Sequence, residues 1–168
     1  DILAATSEIF GSHLYFPMSR DGGFAVKLHR TDGTIIEEVS DIASDSNTSD
    51  SATGLMAYAG KLYLSAADDG TTGYPLISFD GTTFNQETVL GSFQMATPLG
   101  VHKGELIYNG MGDSGIFRIY KYDGDRSLLL GSINSDDSPL AVVSVGDSLY
   151  IVMNNDLSDP TLYRMNVE

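Results

Sequence analysis

The chain has 168 residues, of which 42% are hydrophobic and 19% are charged, values typical of a globular protein with a core rather than of a disordered one. Its formal charge is −14, because 23 acidic residues face 9 basic ones. Binding to nucleic acid or to an anionic membrane surface needs a basic stripe. The charge therefore argues against both kinds of partner.

Two further features narrow the class of protein. The chain contains no cysteine, which excludes disulfides, thiol nucleophiles and thiolate metal sites. The longest apolar run, Leu149–Met153, is far shorter than a helix that spans a bilayer, so we expect no membrane insertion.

A repeated leucine marks four units along the chain. It occurs in the stretches GSHLYF, GKLYLS, GELIYN and GDSLYI, at Leu14, Leu62, Leu106 and Leu149. The intervals between these leucines are 48, 44 and 43 residues. A glycine two or three residues before each leucine predicts a turn between two strands.

A second marker follows each leucine at a nearly constant distance. It is Asp32-Gly33, Asp80-Gly81 and Asp123-Gly124 in the first three units, and Asn166 takes the aspartate position in the fourth. Asp-Gly between apolar strands predicts a hairpin, and a type I′ turn would need positive φ at both residues. Each unit therefore contains strand, glycine turn, strand, loop, strand, Asp-Gly turn and strand.

Four short antiparallel strands in a repeat of about 43–48 residues are typical of a propeller blade. We expect an all-β fold in which one domain, 1–168, forms a four-bladed β-propeller. The predicted blades cover approximately 1–45, 54–94, 98–134 and 138–168. The leading strands, expected nearest the axis, are Ala5–Phe10, Leu55–Ala59, Leu99–Lys103 and Leu140–Val145. An irregular β-sandwich is the competing architecture, although it would not require such similar repeats.

The fourth unit is one strand short. Its strands are predicted in the stretches PLAVVSVG, SLYIVM and TLYRMNV, after which the sequence given ends. A sheet that lacks its outer strand leaves backbone N–H and C=O groups open to another chain. We therefore expect self-association through Thr161, Leu162, Tyr163, Arg164 and Met165.

The second unit resembles a bacterial propeller repeat whose consensus contains Leu-Tyr-Phe, an Asp-Gly loop and then Glu-Leu-Trp-x-x-Asp-Gly-Thr; kelch-like repeats are a weaker match. The matching residues of this unit are Leu62, Tyr63, Asp69, Gly70, Gly73, Leu76, Asp80, Gly81 and Thr82. The tryptophan position instead holds His29, Ile77, Tyr120 and Tyr163 in the four units. The resemblance implies a propeller of the kind found in secreted or surface-attached proteins, and no particular reaction.

Histidines and basic residues give no recognisable catalytic set. His13, His29 and His102 fall at three different points of the repeat, which favours structural roles. Arg30, Lys121 and Arg164 share one repeat position, as arginines that clamp a carboxylate would, and Ser78 fills it in the second unit. Equivalent positions of a repeat usually do equivalent structural work, so we expect these residues to pair with acidic neighbours or to cover an outer strand.

The loops after the second strand are acidic. Asp68, Asp69, Asp113, Asp156 and Asp159 are weak candidates for calcium ligands, and solvated turn residues are the interpretation we prefer. We therefore assign no metal or other cofactor. Among the aromatic residues, Phe24 and Tyr74 lie in or beside these loops and are the candidates for an exposed glycan platform.

These observations favour a non-catalytic extracellular or cell-surface module that acts through protein–protein contacts, as the self-assembling subunit of a surface structure or filament. The alternative is a propeller that binds a ligand or carbohydrate, like a lectin. A glycosidase or lyase ranks last, because no convergent nucleophile, acid–base pair or metal set can be identified.

Overall fold

The computed structural model describes residues 7–19, 26–39, 42, 52–67, 73–87, 93–112, 115–133, 138–154 and 161–165. In these ranges the chain forms strands and no helix. The strands are β1 (Glu8–Phe10), β2 (His13–Ser19), β3 (Val26–Thr31), β4 (Ile36–Glu38), β5 (Thr53–Tyr58), β6 (Lys61–Ser65), β7 (Leu76–Phe79), β8 (Phe84–Gln86), β9 (Phe93–His102), β10 (Glu105–Gly112), β11 (Phe117–Tyr122), β12 (Ser127–Ile133), β13 (Ser138–Val145), β14 (Ser148–Asn154) and β15 (Thr161–Met165).

The described strands form four antiparallel sheets of four, four, four and three strands. Sheet 1 contains β1–β4, sheet 2 contains β5–β8, sheet 3 contains β9–β12 and sheet 4 contains β13–β15, and in each sheet the strands follow one another in chain order. This confirms the all-β class and the strand count of each unit. The leading strands differ in extent from the prediction, since β5 begins at Thr53 and β9 covers Phe93–His102.

Consecutive sheets pack face to face. Three clusters of buried side chains join sheet 1 to sheet 2, sheet 2 to sheet 3 and sheet 3 to sheet 4. The leading strands also contact one another in succession, β1 with β5, β5 with β9 and β9 with β13. The approach is close at Gly100, where an added Cβ would lie 2.5 Å from Val142 Cγ2 of sheet 4.

The pairing of residues between neighbouring strands shows which side chains of each sheet take part in the contacts between consecutive sheets. Residues paired across antiparallel strands share a face of the sheet. The repeated leucine and the residue just before the Asp-Gly turn form such a pair and insert against the preceding sheet; we call them the inserting pair. The inserting pairs at the three contacts are Leu62 with Phe79, Leu106 with Tyr122, and Leu149 with Met165.

The opposite face of each sheet receives the next inserting pair. It does so through three residues, one each from the first, second and third strand, which we call the receiving set. The receiving sets of sheets 1, 2 and 3 are Phe10, Tyr15 and Leu28; Tyr58, Tyr63 and Leu76; and His102, Ile107 and Ile119. The rings of Tyr15 and Phe79, one from each side of the first contact, lie 6.0 Å apart in an edge arrangement.

The three Asp-Gly turns are equivalent, as predicted, but they are not type I′. Only the glycine has positive φ, at 96° for Gly33 and 105° for both Gly81 and Gly124. The preceding aspartate holds the loop with its side chain instead. In the second unit Asp80 Oδ1 accepts hydrogen bonds from the backbone N–H groups of Thr82 and Thr83, each at 2.8 Å.

Positive φ at two successive residues occurs in a different hairpin. Ala59 and Gly60 have φ values of 47° and 77°, and Lys103 and Gly104 have values of 50° and 81°. These two-residue loops join the first and second strands of sheets 2 and 3, and they have the φ signature of a type I′ turn. The sequence therefore contains the predicted turn, at the glycine marker rather than at Asp-Gly.

Replacing Gly81 with Val should destabilise the fold by roughly 1 kcal/mol or more, because a β-branched residue resists positive φ. The φ of Gly81 is 105°, and an added Cβ would contact nothing within 4 Å, so the effect would be conformational rather than steric. Urea unfolding measures it. The control is Thr83→Val, an exposed position of the same loop without positive φ. Equal stability of the two variants would contradict this interpretation.

Acid should destabilise the Asp-Gly turns. Hydrogen bonds from the Thr34 hydroxyl and from the N–H groups of Thr34 and Ile35 lower the pKa of Asp32 from 3.8 to about 2. A carboxyl group with a lowered folded-state pKa contributes stability above its unfolded pKa and loses that contribution as the pH falls towards the folded value. We expect Asp32→Asn to reduce the loss of melting temperature between about pH 4 and about pH 2, measured by circular dichroism. An unchanged acid profile would contradict this.

Candidate protein–protein interface

Strand β15 forms the edge of sheet 4. It pairs with β14 from Leu149↔Met165 to Met153↔Thr161, and in the described part of the chain no strand pairs with its other side. All five residues predicted for the interface lie on this strand. Leu162 is 60% exposed and Tyr163 is 44% exposed, whereas Met165 packs against sheet 3. An edge strand with exposed apolar side chains is a template for pairing with another chain.

The face of sheet 4 that points away from sheet 3 is also apolar; we call it the outer face of sheet 4. A shallow depression on this face is lined by Val143, Val145, Tyr150 and Leu162. The registers Val143↔Tyr150 and Val152↔Leu162 place these side chains opposite the face that carries Leu149 and Ile151. Strand β14 thus carries apolar side chains on both faces, and one face is open.

The shared basic position does not form a carboxylate clamp. The Arg30 guanidinium pairs with Glu37 of the neighbouring strand, with Nε 2.7 Å from Oε1. The Lys121 ammonium pairs with Glu105 of its own sheet at 3.1 Å. These residues therefore tie strands together within separate sheets, in agreement with the structural interpretation, although the acidic partners belong to the same sheet.

The three histidines are also dispersed. His13 lies near Ser12 at the first turn, with Nδ1 3.2 Å from Oγ. His29 is buried and stacks on Phe16, and its Nδ1 lies 3.1 Å from the carbonyl oxygen of Lys27. His102 is buried between sheets 3 and 4, with Nδ1 2.8 Å from Ser144 Oγ, and its Nε2 has no hydrogen-bond partner. The described residues bring no two of them together.

The predicted calcium ligands Asp68, Asp69, Asp113, Asp156 and Asp159 lie outside the described residues, as does Phe24. Within the described ranges, no group of three acidic or histidine side chains could hold a metal ion. Tyr74 is described and is 37% exposed. Its carbonyl oxygen accepts a hydrogen bond from Ala96 N–H at 2.8 Å, which fixes its backbone against sheet 3.

A carboxylate that the sequence did not single out links sheets 2 and 3. Glu87 Oε1 accepts hydrogen bonds from Ser78 Oγ at 2.5 Å and Lys61 Nζ at 3.2 Å, and Oε2 accepts one from Tyr122 OH at 2.5 Å. Burial opposes the ionisation of Glu87, but these hydrogen bonds outweigh it and lower its pKa. Burial and the contact with Glu87 both raise the pKa of Tyr122.

The repeat does contain a signal for this link. Glu87 lies seven residues after Asp80, and the corresponding residues in the first and third units are Val39 and Leu130, both of which pack against a core cluster. A charged residue at a position that is apolar in sister units marks an exception to the packing. Lys61 and Ser78 belong to the same sheet as Glu87, but Tyr122 comes from sheet 3, so the sequence alone could not identify the complete set of partners.

Replacing Glu87 with Gln should destabilise the fold by about 1–3 kcal/mol, because hydrogen bonds from three donors to a charged, largely buried acceptor are weakened together. The matched control is Glu37→Gln, which removes the negative charge of the more exposed ion pair between Arg30 and Glu37. Chemical unfolding of both variants measures the difference. A Glu87 variant no less stable than the Glu37 variant would show that the network contributes little.

Comparison with known proteins adds no assignment. No protein-family model matches the chain, and no match is found among curated proteins. A search of the described residues for a helix long and apolar enough to cross a membrane finds none.

Proposed function

We propose that this chain is a β-propeller-type module without catalytic activity, which acts outside the cell or at its surface through protein–protein contacts, and that it self-associates through the edge of sheet 4. The observation that carries the proposal is strand β15, whose side chains Leu162 and Tyr163 are exposed and which has a strand partner on one side only in the described part of the chain. The sheet edge offers hydrogen-bonding groups, and the apolar side chains offer area to bury.

Two observations support the propeller architecture. The leading strands of the four sheets lie next to one another in order, and each sheet packs on the next through equivalent residues. The sequence repeats with the same period as the sheets. A radial array of small sheets produces both features, whereas a two-layer sandwich would not place four similar units in succession. The proposal of a secreted or surface location is based on the repeat resemblance described above.

The edge contact can be tested with two proline variants. Neighbouring residues of a strand direct their N–H groups to opposite sides, so one of Tyr163→Pro and Arg164→Pro removes a donor towards β14 and the other removes a donor from the open edge. We expect one variant to lose melting temperature. The other should keep its melting temperature and fail to self-associate, as measured by sedimentation equilibrium.

The proline experiment has a clear negative result. If the variant that retains the wild-type melting temperature also self-associates like the wild type, the edge of β15 is not the contact. A wild-type chain that stays monomeric at high concentration in about 0.15 M salt, where repulsion between acidic copies is screened, would also exclude self-association.

Glycan binding is the second candidate, and the exposed ring of Tyr74 favours it. Aromatic rings on a surface stack on sugar rings. A glycan array with wild type, Tyr74→Ala and Tyr74→Phe separates the candidates. Selective binding that is lost in the alanine variant and kept in the phenylalanine variant would support a lectin-like function, and the absence of any glycan signal would exclude it.

A further inference from the structure

The two terminal sheets carry the complementary halves of one more inter-sheet contact. In sheet 4 the positions of the receiving set are Val145, Tyr150 and Leu162, identified by the same registers that define it in the other sheets. Val145 and Leu162 are 59% and 60% exposed. These three residues, with Val143, line the apolar depression on the outer face of sheet 4. The fourth receiving set is therefore present and open.

The other half lies on sheet 1. Its inserting positions are Leu14 and Thr31, which pair with each other across β2 and β3. Leu14 also pairs with Ile9 on β1, and Thr31 pairs with Ile36 on β4. These four residues form a row across the sheet that is mainly apolar. Leu14 is 39% exposed, whereas the equivalent leucines of sheets 2, 3 and 4 are fully buried at 0%. At the other end of this face Phe16 and His29 stack on each other and are buried, so the open part is the row that contains Leu14.

We propose that the inserting row of sheet 1 in one copy of this chain packs on the outer face of sheet 4 in a second copy. The contact would continue the packing already present three times within the chain, with Leu14 entering the depression beside Tyr150 as Leu62 packs in the cluster that contains Tyr15. The occupant is thus a sheet of the same repeat. The proposal rests on the proposed function and specifies a side-chain face of sheet 4 rather than the backbone edge of β15; Leu162 belongs to both.

The symmetry of this contact is head to tail, because it joins two different surfaces. Such contacts close into a ring if the rotation between copies allows it, and they form open filaments otherwise. Each copy carries a formal charge of −14, which opposes association at low salt. Because burial of apolar area is not screened, added salt strengthens the contact.

Two charge variants test the surfaces separately. Leu14→Glu places a carboxylate in the inserting row, and Tyr150→Lys places an ammonium group in the depression; both positions are already partly exposed, so the monomer should still fold. Each variant alone should weaken self-association by at least about tenfold, as measured by sedimentation equilibrium in about 0.15 M salt. The control is Leu129→Glu on the outer strand of sheet 3, a leucine that is more exposed than Leu14 (55% against 39%) and belongs to neither proposed surface; this variant should associate like the wild type.

Mixing the two variants distinguishes head-to-tail packing from other modes. In a mixed pair, the intact sheet 1 of Tyr150→Lys meets the intact sheet 4 of Leu14→Glu, so an equimolar mixture should regain association that neither variant shows alone. A contact between two sheet 4 faces would leave Leu14→Glu as associated as the wild type. Either that result or a mixture that stays monomeric overturns the proposal, provided that circular dichroism shows both variants folded; Val143→Lys replaces Tyr150→Lys if that variant does not fold.

The outcome also separates this inference from the proposed function. If a β15 proline variant dissociates the protein and the charge variants do not, the edge contact stands and the face contact is overturned. If the charge variants dissociate it and a folded β15 proline variant does not, the face contact stands without the edge. A wild type that remains monomeric over about 1 µM to about 1 mM overturns both self-contacts.

Discussion

The packing of apolar side chains between successive sheets, which covers both faces of sheets 2 and 3, is the constraint on which the rest of this structure depends. A sheet of three or four short strands cannot be stable when both of its faces meet water, because burial of apolar area supplies most of the favourable free energy of folding. The second strand of each unit shows the constraint most directly. In β10 the successive residues Leu106 and Ile107 are both fully buried, one towards sheet 2 and the other towards sheet 4.

The hairpin loops serve this constraint by fixing the register. A shift of one residue would move every side chain of a strand to the opposite face and exchange inserting and receiving residues. The first hairpin uses two-residue loops in all four units, with both residues at positive φ in sheets 2 and 3 and with only Gly11 or Gly146 at positive φ in sheets 1 and 4. The different spacing between the marker glycine and the leucine in the sequence reflects these two loop types.

Much of the fold could be predicted from the sequence because the same pattern of residues occurs four times along the chain. The leucine and Asp-Gly markers located every sheet and the shorter fourth sheet. The turn type at Asp-Gly was predicted wrongly, because the rule for hairpins considers backbone φ alone. The carboxylate of Asp80 accepts two N–H groups of the loop, which lets the turn form with positive φ at Gly81 only. This competition between side chain and backbone is local and specific to the residues.

Less of the candidate site could be predicted, for a physical reason. The repeat predicted that Leu162 and Tyr163 lie on an edge strand, and in the described part of the chain both are exposed on β15. The Glu87 network depends on distances between sheets, and no period in the sequence encodes the pairing of Ser78, Lys61 and Tyr122 with one carboxylate. A repeat predicts what its units share, whereas a contact made by one unit alone has to be found in three dimensions.

The comparison between units also explains the significance of the residues on the open face of sheet 4. An inner sheet keeps an apolar residue at a face position because a neighbour covers it, and an uncovered face would tolerate polar residues there. Sheet 4 has Tyr150 where sheets 2 and 3 have Tyr63 and Ile107, and Leu162 where they have Leu76 and Ile119. The residue types of an inner sheet are thus retained on an open face. Large apolar side chains grouped on a surface are characteristic of sites that another protein covers.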